Sequence, residues 1–224
     1  MERVRALLYD IHGNLPALEA VLADADDAGE FLLGGDYATA GPWPRETVQR
    51  LKELENATWI RGNADRWLAD RHDAPSPIDE IAARTAELLG DELVAELVEL
   101  PERAEIGDTL YCHASPGSDT QSFGAEPGPL DSELLEDVSA KRVVFGHTHV
   151  QFQRTGSSGI ELLNPGSVGM PWDGDHRAAY AVIDGDRVEC RRVEYDWEGS
   201  VAAVRDRVGE LPALRMELAR FDVS

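Results

Sequence analysis

The sequence predicts an α/β protein in which two β-sheets pack together and helices cover their outer faces. Three observations support this prediction: short apolar segments alternate with helical ones early in the chain, a run of strand-like segments follows, and polar motifs stand at strand ends. Alternating strands and helices favour a parallel sheet, and the later strands indicate a second sheet. The 224 residues are enough for one sizeable core, so we predict a single domain over residues 1–224.

The first sixty residues predict a βαβαβ unit. Apolar strands are expected over Arg5–Tyr9, Phe31–Leu33 and Thr58–Ile60, and each ends at a polar motif. Between them, helical spacing begins near Pro16, which the first turn of a helix tolerates, and again over about residues 44–54. Parallel sheets carry their sites at the carboxyl ends of strands, so these motifs are candidate site residues.

The rest of the chain predicts a helical middle and a strand-rich second half. Residues 64–100 are expected to be helical, with a buried face of Ile81, Leu88, Leu89, Leu93, Leu97 and Leu100. Later strands are expected over Thr109–Cys112, Arg142–Phe145, Ile160–Leu163, Ala179–Ile183 and Val188–Tyr195. The last two flank Asp184-Gly-Asp186, a tight-hairpin signal. A C-terminal helix begins near Ser200, and its apolar residues are Leu211, Leu214, Met216 and Leu218, which suit packing on the core or on another subunit.

Five short motifs follow the predicted strands and supply side chains that bind metal. They contain two Asp, one Asn and four His: Asp10, His12, Asp36, Asn63, His113, His147 and His149. Within the first and last motifs the ligands are two residues apart, a spacing that on an extended segment places both side chains on one face. Mixed imidazole and carboxylate ligands suit Mn, Fe, Zn or Ni better than Mg or Ca. A lone Asp-x-His is more often structural, whereas five segments in this order predict a two-metal hydrolase.

The chain resembles the calcineurin-like metallophosphoesterase superfamily, in its compact bacterial and archaeal phosphodiesterase branch. The resemblance rests on these motifs together with Asn164-Pro-Gly-Ser167 and Asp173-Gly-Asp175. The resemblance covers about residues 3–195 and implies a two-sheet sandwich flanked by helices. It also implies two divalent ions, Mn first, with Fe, Ni or Zn as alternatives. One ion would be held by Asp10, His12 and His149, the other by Asn63, His113 and His147, and Asp36 would bridge them. A hydroxide between the ions would attack a phosphodiester or phosphoanhydride, with Asp36, Asn63 and His147 as catalytic residues.

One position departs from the pattern of the family. Many relatives have a His directly after the motif Asn, where it protonates the leaving oxygen, but this chain has Ala64. General acid help is worth ~10²–10⁴-fold, so its absence favours a substrate with a good leaving group. A dinucleoside polyphosphate is the alternative substrate, because a phosphate with a second pKa of about 6 leaves with little protonation. His72 and His176 are candidate replacements for the acid, although an ordinary surface position is the simpler interpretation of each.

Four residues are candidate substrate ligands: Asn14, Trp43, Arg66 and Asn164. Trp43 would stack on a nucleobase, as would Trp67 or Trp172, although plain packing is the commoner role of tryptophan. The loop that begins at Asn164 resembles one that the family places at the site, and a simple turn is its alternative interpretation.

Charged residues near the motifs have two interpretations. Arg66, with Arg45 and Arg61, suits phosphate oxygens, but pairing with the abundant carboxylates is the favoured alternative. Asp65 and Asp70 are expected to be helix-start or surface carboxylates, since an enzyme that holds two ions needs no further base.

Composition limits the partners. The net charge is −22, from 43 acidic and 21 basic residues, and so much negative charge repels long nucleic acid. Local cations still attract a small phosphorylated substrate, such as a nucleotide. Met1 is not followed by the apolar region of a signal peptide, and no segment approaches ~18 apolar residues, so we expect a cytoplasmic protein without membrane contact. Cys112 and Cys190 are therefore expected as reduced thiols, and the oligomeric state is left open.

A function of a different class is a non-catalytic, metal-binding scaffold for protein interactions. The superfamily includes a vacuolar sorting subunit that kept the fold and lost phosphatase activity, and its ligands are degraded. All seven ligand-type side chains are present here, which favours an enzyme.

Overall fold

A computed structural model of the chain, which describes residues 3–210 and 212, contains ten strands and seven α-helices in that part. The strands are β1 (Arg5–Leu8), β2 (Glu30–Leu33), β3 (Ala57–Trp59), β4 (Arg103–Ile106), β5 (Thr109–Cys112), β6 (Arg142–Val144), β7 (Phe152–Thr155), β8 (Glu161–Asn164), β9 (Ala178–Asp184) and β10 (Arg187–Val193). The helices are α1 (Leu15–Asp24), α2 (Pro44–Lys52), α3 (Asn63–Arg66), α4 (Ile78–Leu89), α5 (Asp91–Val98), α6 (Asp131–Leu134) and α7 (Trp197–Arg207).

Two five-stranded sheets with parallel centres confirm the predicted fold class. The first has the strand order β10-β9-β1-β2-β3 and the second the order β4-β5-β6-β8-β7. Strands β1, β2 and β3 are parallel, as are β5, β6 and β8. The remaining strands are antiparallel to their neighbours. Gly185 and Asp186 join β9 to β10 in the predicted tight hairpin, since Asp184 pairs with Arg187.

Alternating side chains sort the core into an inner layer and two outer layers. The inner layer lies between the sheets and contains Leu7, Tyr9, Leu32, Ile60, Tyr111, Val144, Leu163, Ala181 and Ile183. The adjacent residue Leu8 points the other way and packs in the cluster that includes buried residues of α1, α2, α4 and α5. Neighbours on the second sheet, such as Val143, belong to the other outer layer. The strand period of two therefore fills all three layers from the same short segments.

Two edge strands, β4 and β7, were not predicted from the sequence. Their residues alternate between exposed and half-buried positions, and at least half of the residues in each strand are polar. Edge strands face solvent with one face and one backbone edge, so they lack the continuous apolar run by which the central strands were identified.

The predicted helical middle is broken. Residues 64–100 form α3, α4 and α5 instead of one long helical region, because Pro75 and Pro77 precede α4 and Gly90, with φ of +78°, separates α4 from α5. Leu89, Leu93 and Leu97 are buried as predicted. Leu88 was predicted to be buried, but 44% of it is exposed; the break after it sets the rotation of α4.

Helix α7 confirms the C-terminal helix, three residues earlier than predicted. The Asp196 side chain accepts a hydrogen bond from the Gly199 backbone N–H and so caps its first turn. The apolar residues predicted to continue this helix, from Leu211 onward, lie outside the described residues. Within residues 3–210 and 212, no helix has the length and apolar character needed to cross a membrane. Both cysteines are free thiols, as expected.

The inner layer should dominate stability. We expect Leu32→Ala to lower the free energy of unfolding by about 2–5 kcal/mol, because it leaves a cavity between the two sheets. The matched control is Leu88→Ala, which removes the same atoms from an exposed site and should change stability by less than about 0.5 kcal/mol. Urea denaturation measures both, and equal losses would contradict the assignment of the inner layer.

Candidate metal centre

All seven predicted metal ligands meet at one edge of the sandwich, in the loops that follow β1, β2, β3, β5 and β6. Six of them are buried, and their exposed fractions are 8% or less: Asp10, His12, Asp36, Asn63, His113 and His149. His147 is half-buried. The two sheets are joined here directly, because Asp10 Oδ2 accepts a hydrogen bond from the His147 backbone N–H at 2.9 Å. Separate segments of the chain thus present one cluster of nitrogen and oxygen donors.

Five of these ligands adopt a backbone conformation that side chains rarely take. Their φ angles lie between +48° and +65°: Asp10, His12, Asp36, His147 and His149. Such residues each cost about 1–3 kcal/mol and cluster at functional sites. The Asp-x-His and His-x-His pairs therefore converge through left-handed turns. The prediction that each pair shares one face of an extended strand was wrong, since β1 ends at Leu8 and β6 at Val144.

Close approach of the backbone explains the glycines beside the ligands. A Cβ on Gly62 would lie 2.1 Å from Asp36 Oδ1, and a Cβ on Gly146 would lie 2.4 Å from Asp10 Oδ2. Real Cβ atoms do not come so near, so any side chain at these positions would displace the two carboxylates.

The first group of ligands is Asp10, His12 and His149, whose donor atoms lie within 4.8 Å of one another. His12 Nδ1 lies 2.8 Å from the Thr39 carbonyl oxygen. His149 Nδ1 lies 2.6 Å from that of Met170. These bonds place a proton on each Nδ1, so the Nε2 atom of each ring is the one that would bind a cation. The two Nε2 atoms are 3.1 Å apart. A cation between them removes the repulsion of the facing lone pairs.

The second group is Asn63, His113 and His147. His113 Nδ1 lies 2.8 Å from the Gly34 carbonyl oxygen, which again leaves Nε2 as the donor atom. Asn63 Oδ1 lies 2.9 Å from His147 Nδ1. With the amide rotated by 180°, its nitrogen would donate to both imidazoles and to the Asp119 carbonyl oxygen. Oxygen in this position accepts a hydrogen bond from a protonated imidazole or binds a cation, whereas the amide nitrogen would repel a cation, so the group fits a metal ion in one amide orientation only.

Asp36 lies between the two groups. Its Oδ2 is 3.8 Å from His12 Nε2 and 3.4 Å from His113 Nε2. Its Oδ1 accepts the Ala64 backbone N–H at 2.9 Å, so one carboxylate oxygen is anchored and the other faces both groups. This geometry suits the bridging role that the family resemblance implies for Asp36.

Asp10 also reaches both groups. Its Oδ1 is 3.5 Å from His149 Nε2 and 3.9 Å from His113 Nε2. With Asp36 and His113, it forms a further candidate metal group within 4.8 Å. Within the described part of the chain, this fully buried oxygen has no hydrogen-bond partner. A buried, unpaired carboxylate oxygen is costly unless a cation neutralises it, so the donor set fits divalent metal ions.

Burial and mutual charge set the pKa values in the metal-free protein. Burial raises the pKa of Asp10 to about 8, although the charge of His113 opposes the rise. Burial alone would lower the pKa of His113, but the charges of Asp36 and Asp10 raise it to about 10. Burial lowers the pKa of His147 to about 4 and, with the charge of His12, lowers that of His149 well below its usual value. The metal-free centre therefore holds its protons on His113 and Asp10.

Asp65 is a positioning residue that the sequence did not identify as part of the site. It was expected to be a helix-start or surface carboxylate, and it does stand in the first turn of α3, but it is fully buried. Oδ2 accepts the backbone N–H groups of Asp36 at 2.8 Å and Gly62 at 2.9 Å, and Oδ1 accepts that of Tyr37 at 3.1 Å. Asp65 thereby ties the Asp36 loop to the Asn63 loop. An acidic residue at the third position of a helix is the available sequence signal.

The four predicted substrate ligands are placed differently from the expectation. Asn14 is buried, caps α1 and donates to the Gly169 carbonyl oxygen. Asn164 is also buried and donates to the Gly146 carbonyl oxygen and to Thr148, so it shapes the loop that holds His147 and His149. Both are polar groups that fix ligand loops, because their hydrogen-bonding atoms are already used.

The arginines bind protein groups, and Trp43 packs within the fold, as their alternative interpretations predicted. Arg66 pairs with Asp73 at 2.8 Å and Asp119 at 2.7 Å, and Arg61 pairs with Glu102. The Arg45 guanidinium binds the backbone carbonyls of Leu88 and Leu89. Trp43 lies under the Arg207 guanidinium, 5.8 Å from it, and packs at the start of α2.

A cavity of about 200 Å³ opens on the centre and is lined by His12, Asp36, Asn63, His147 and His149. Trp67 and Trp172 line it, as does Ala64 at the position of the absent acid. The proposed substitutes for that acid lie elsewhere. The His72 side chain is 70% exposed and bonds to Asp70 at 2.9 Å, and His176 packs against Trp197.

Metal binding should release protons. Because the pKa of His113 lies above neutral pH and its Nε2 must be unprotonated to bind a metal ion, we expect Mn²⁺ binding at pH 7 to expel about one proton or more per chain. Metal affinity should rise with pH for the same reason. Isothermal titration in two buffers of different ionisation enthalpy measures the release. His72→Ala, which changes a surface ring, should leave it unaltered, and binding heats independent of buffer would contradict the prediction.

Asp65 should support the metal site through the backbone. We expect Asp65→Asn, which replaces one acceptor oxygen by an NH₂ group facing backbone N–H donors, to lower stability by about 1–3 kcal/mol. Mn²⁺ affinity should fall roughly 10–100-fold, as for other residues that orient metal ligands. Asp70→Asn is the matched control, because its side chain is 61% exposed. Equal Mn²⁺ affinity in the two variants would contradict the assignment of Asp65 as a positioning residue of the metal site.

The chain has relatives throughout its length. The calcineurin-like phosphoesterase superfamily domain matches residues 5–187. An uncharacterised protein of Methanocaldococcus jannaschii is 28% identical over 244 aligned residues, which cover 96% of this chain and 98% of the relative.

Solved structures share the fold. A metallophosphoesterase from Sphaerobacter thermophilus superposes with a TM-score of 0.84 at 29% identity, over 96% of this chain and 99% of that one. A hypothetical protein from Pyrococcus horikoshii OT3 gives a TM-score of 0.78 at 22% identity, over 95% and 97% of the chains, and shares the fold. Family and neighbours indicate a metallophosphoesterase, and the candidate ligand groups agree with divalent metal cofactors. The protein belongs to the calcineurin-like phosphoesterase superfamily.

Proposed function

We propose that this protein is a cytoplasmic phosphodiesterase that uses two divalent metal ions, Mn²⁺ first among them. The observation that carries the proposal is the position of Asp36 Oδ2 between the His12 and His113 nitrogens, beside a cavity that reaches both groups. When bound, two such ions would supply a nucleophile at neutral pH and neutralise the charge of the phosphoryl oxygens.

The residues of the chain have distinct parts in this proposal. Asp10, His12 and His149 would hold one ion, and Asn63, His113 and His147 would hold the other. Asp36 would serve both, and its Oδ1 is anchored by the Ala64 backbone N–H. The backbone bonds of His12, His113 and His149 keep each ring in one tautomer and orientation. Catalysis of phosphoryl transfer depends mostly on such positioning and charge neutralisation.

The cavity supports a substrate with a good leaving group. Among its described lining residues, Thr39 is the polar residue apart from the ligands, and its hydroxyl donates to the Ala64 carbonyl oxygen. No lining side chain is thus available to protonate the leaving oxygen, which agrees with Ala64 in place of the family's His. In a diester of an acidic alcohol or phenol, the alkoxide or phenoxide leaves without that proton.

Two other functions have less support. A dinucleoside polyphosphate would bring several negative charges, and the described lining of the cavity contains no Lys or Arg. A non-catalytic scaffold needs no complete ligand set, whereas all seven ligand side chains converge here. The net charge of −22 further favours a small phosphorylated molecule over long nucleic acid.

The test is metal-dependent turnover in matched variants. Metal-free protein supplied with Mn²⁺ should hydrolyse an aryl phosphodiester, and Asp36→Asn should lower the rate by more than about 10²-fold, since it removes a charged group at the reacting centre. Asp108→Asn, a change on the surface away from the site, is the control. An aryl monoester and a dinucleoside polyphosphate complete the panel. Two bound ions without turnover of any member would refute the enzyme and favour the scaffold.

A further inference from the structure

Beyond its metal ligands, the cavity has an apolar wall. This wall includes Ala64, Trp67, Ile78, Ile81, Met170 and Trp172. It comes from separate parts of the chain: α4 with the loop before it, the loop between β8 and β9, and residues next to the ligands. Binding of a phosphate group by itself requires no such surface.

The wall is held rigidly beside the metal ligands. Trp172 stacks on the His149 ring, with centroids 4.1 Å apart and an interplanar angle of 26°. Trp67 is 7% exposed, and its indole N–H donates to Asp73 Oδ1 at 2.9 Å. Ile78 packs on the buried cluster that contains Ala64 and Trp67. An apolar group that enters the cavity therefore meets preformed aromatic and aliphatic surface within reach of the ligands.

The charges around this wall disfavour an anionic group there, in addition to the phosphoryl group at the metal ligands. Positive side chains are absent from its described residues, and Arg66 lines the neighbouring cavity, where Asp73 and Asp119 already pair with it. An anionic tail against the wall would lose its hydration without gaining a partner. The volume of about 200 Å³ is below the usual range for drug-sized ligands and suits one ring or a short alkyl chain.

We propose that the apolar wall binds one uncharged aromatic or short aliphatic ester group of the substrate. The wall thereby selects diesters that carry a single phosphoryl charge and such a group, and it rejects polyphosphates and esters of anionic alcohols. This inference rests on the proposed phosphodiesterase function and adds the class of group that the substrate carries.

Binding of phosphonates to the Mn²⁺-loaded protein tests the wall without turnover. A phosphonate has one substituent, so its binding does not depend on which ester group leaves. Phenylphosphonate should bind about 10-fold or more tightly than methylphosphonate, the discrimination expected when a pocket encloses an added apolar group. Phosphonoacetate, whose substituent is short and anionic, should bind no more tightly than methylphosphonate. Isothermal titration gives all three affinities.

Variants of α4 test whether the preference for phenylphosphonate arises at the apolar wall. Ile81→Ala should remove most of the preference for the phenyl group, and Ile81→Arg should reverse it in favour of phosphonoacetate. Leu88→Ala and Leu88→Arg are the matched controls, because Leu88 lies on the exposed side of the same helix. Ile81→Ala is the decisive variant, since it introduces no buried charge and folding does not limit it.

The outcomes separate the two proposals. A phenyl preference that falls in Ile81→Ala and persists in Leu88→Ala supports the wall as the specificity site. Equal affinities for phenyl- and methylphosphonate, with aryl diester turnover intact, would overturn the wall and leave the phosphodiesterase. Absence of phosphonate binding and of diester turnover, with two ions bound, would overturn the proposed function and the wall together.

Discussion

The structure is organised around a buried cluster of carboxylates and imidazoles at the line where its two sheets meet. Two buried carboxylates, Asp10 and Asp36, lie there among imidazole nitrogens whose lone pairs face one another, 3.1 Å apart in the closest pair. In the metal-free protein, the raised pKa values of Asp10 and His113 favour the protonated form of both side chains. Divalent ions would offset the repulsion among these groups, because each ion neutralises several donors at once.

A strained backbone conformation holds this arrangement. Five ligands take positive φ values, and their loops are fixed from behind by buried polar groups. Asp65 holds the Asp36 and Gly62 backbones, while Asn164 holds the loop that carries His147 and His149. Such supports restrict ligand motion to the geometry that a metal ion needs. They also explain why residues expected to touch substrate are instead saturated with internal hydrogen bonds.

Specificity comes from a different source than metal binding. The ligands would treat any phosphoryl group alike, whereas the apolar wall discriminates by what is attached to it. Ala64 belongs to both arguments: it removes a proton donor and adds apolar surface at the same position. The two consequences favour the same substrates, namely diesters whose groups are neutral and whose leaving oxygen needs no acid.

The sequence by itself determined the fold class, the central strands and the identity of the candidate ligands, because apolar periodicity and Gly-flanked Asp, Asn and His motifs are local patterns. The breaks at Pro75, Pro77 and Gly90 are also local signals, but apolar spacing alone did not separate the helices. The rotation of α4 and the polar edge strands lay beyond such patterns, since they depend on neighbouring elements. Only the tertiary structure decided that Asp36 faces both ligand groups and that Asp65 is buried. It also gathered Ile81, Trp67 and Trp172 into one wall, because contacts among distant segments depend on packing and not on spacing along the chain.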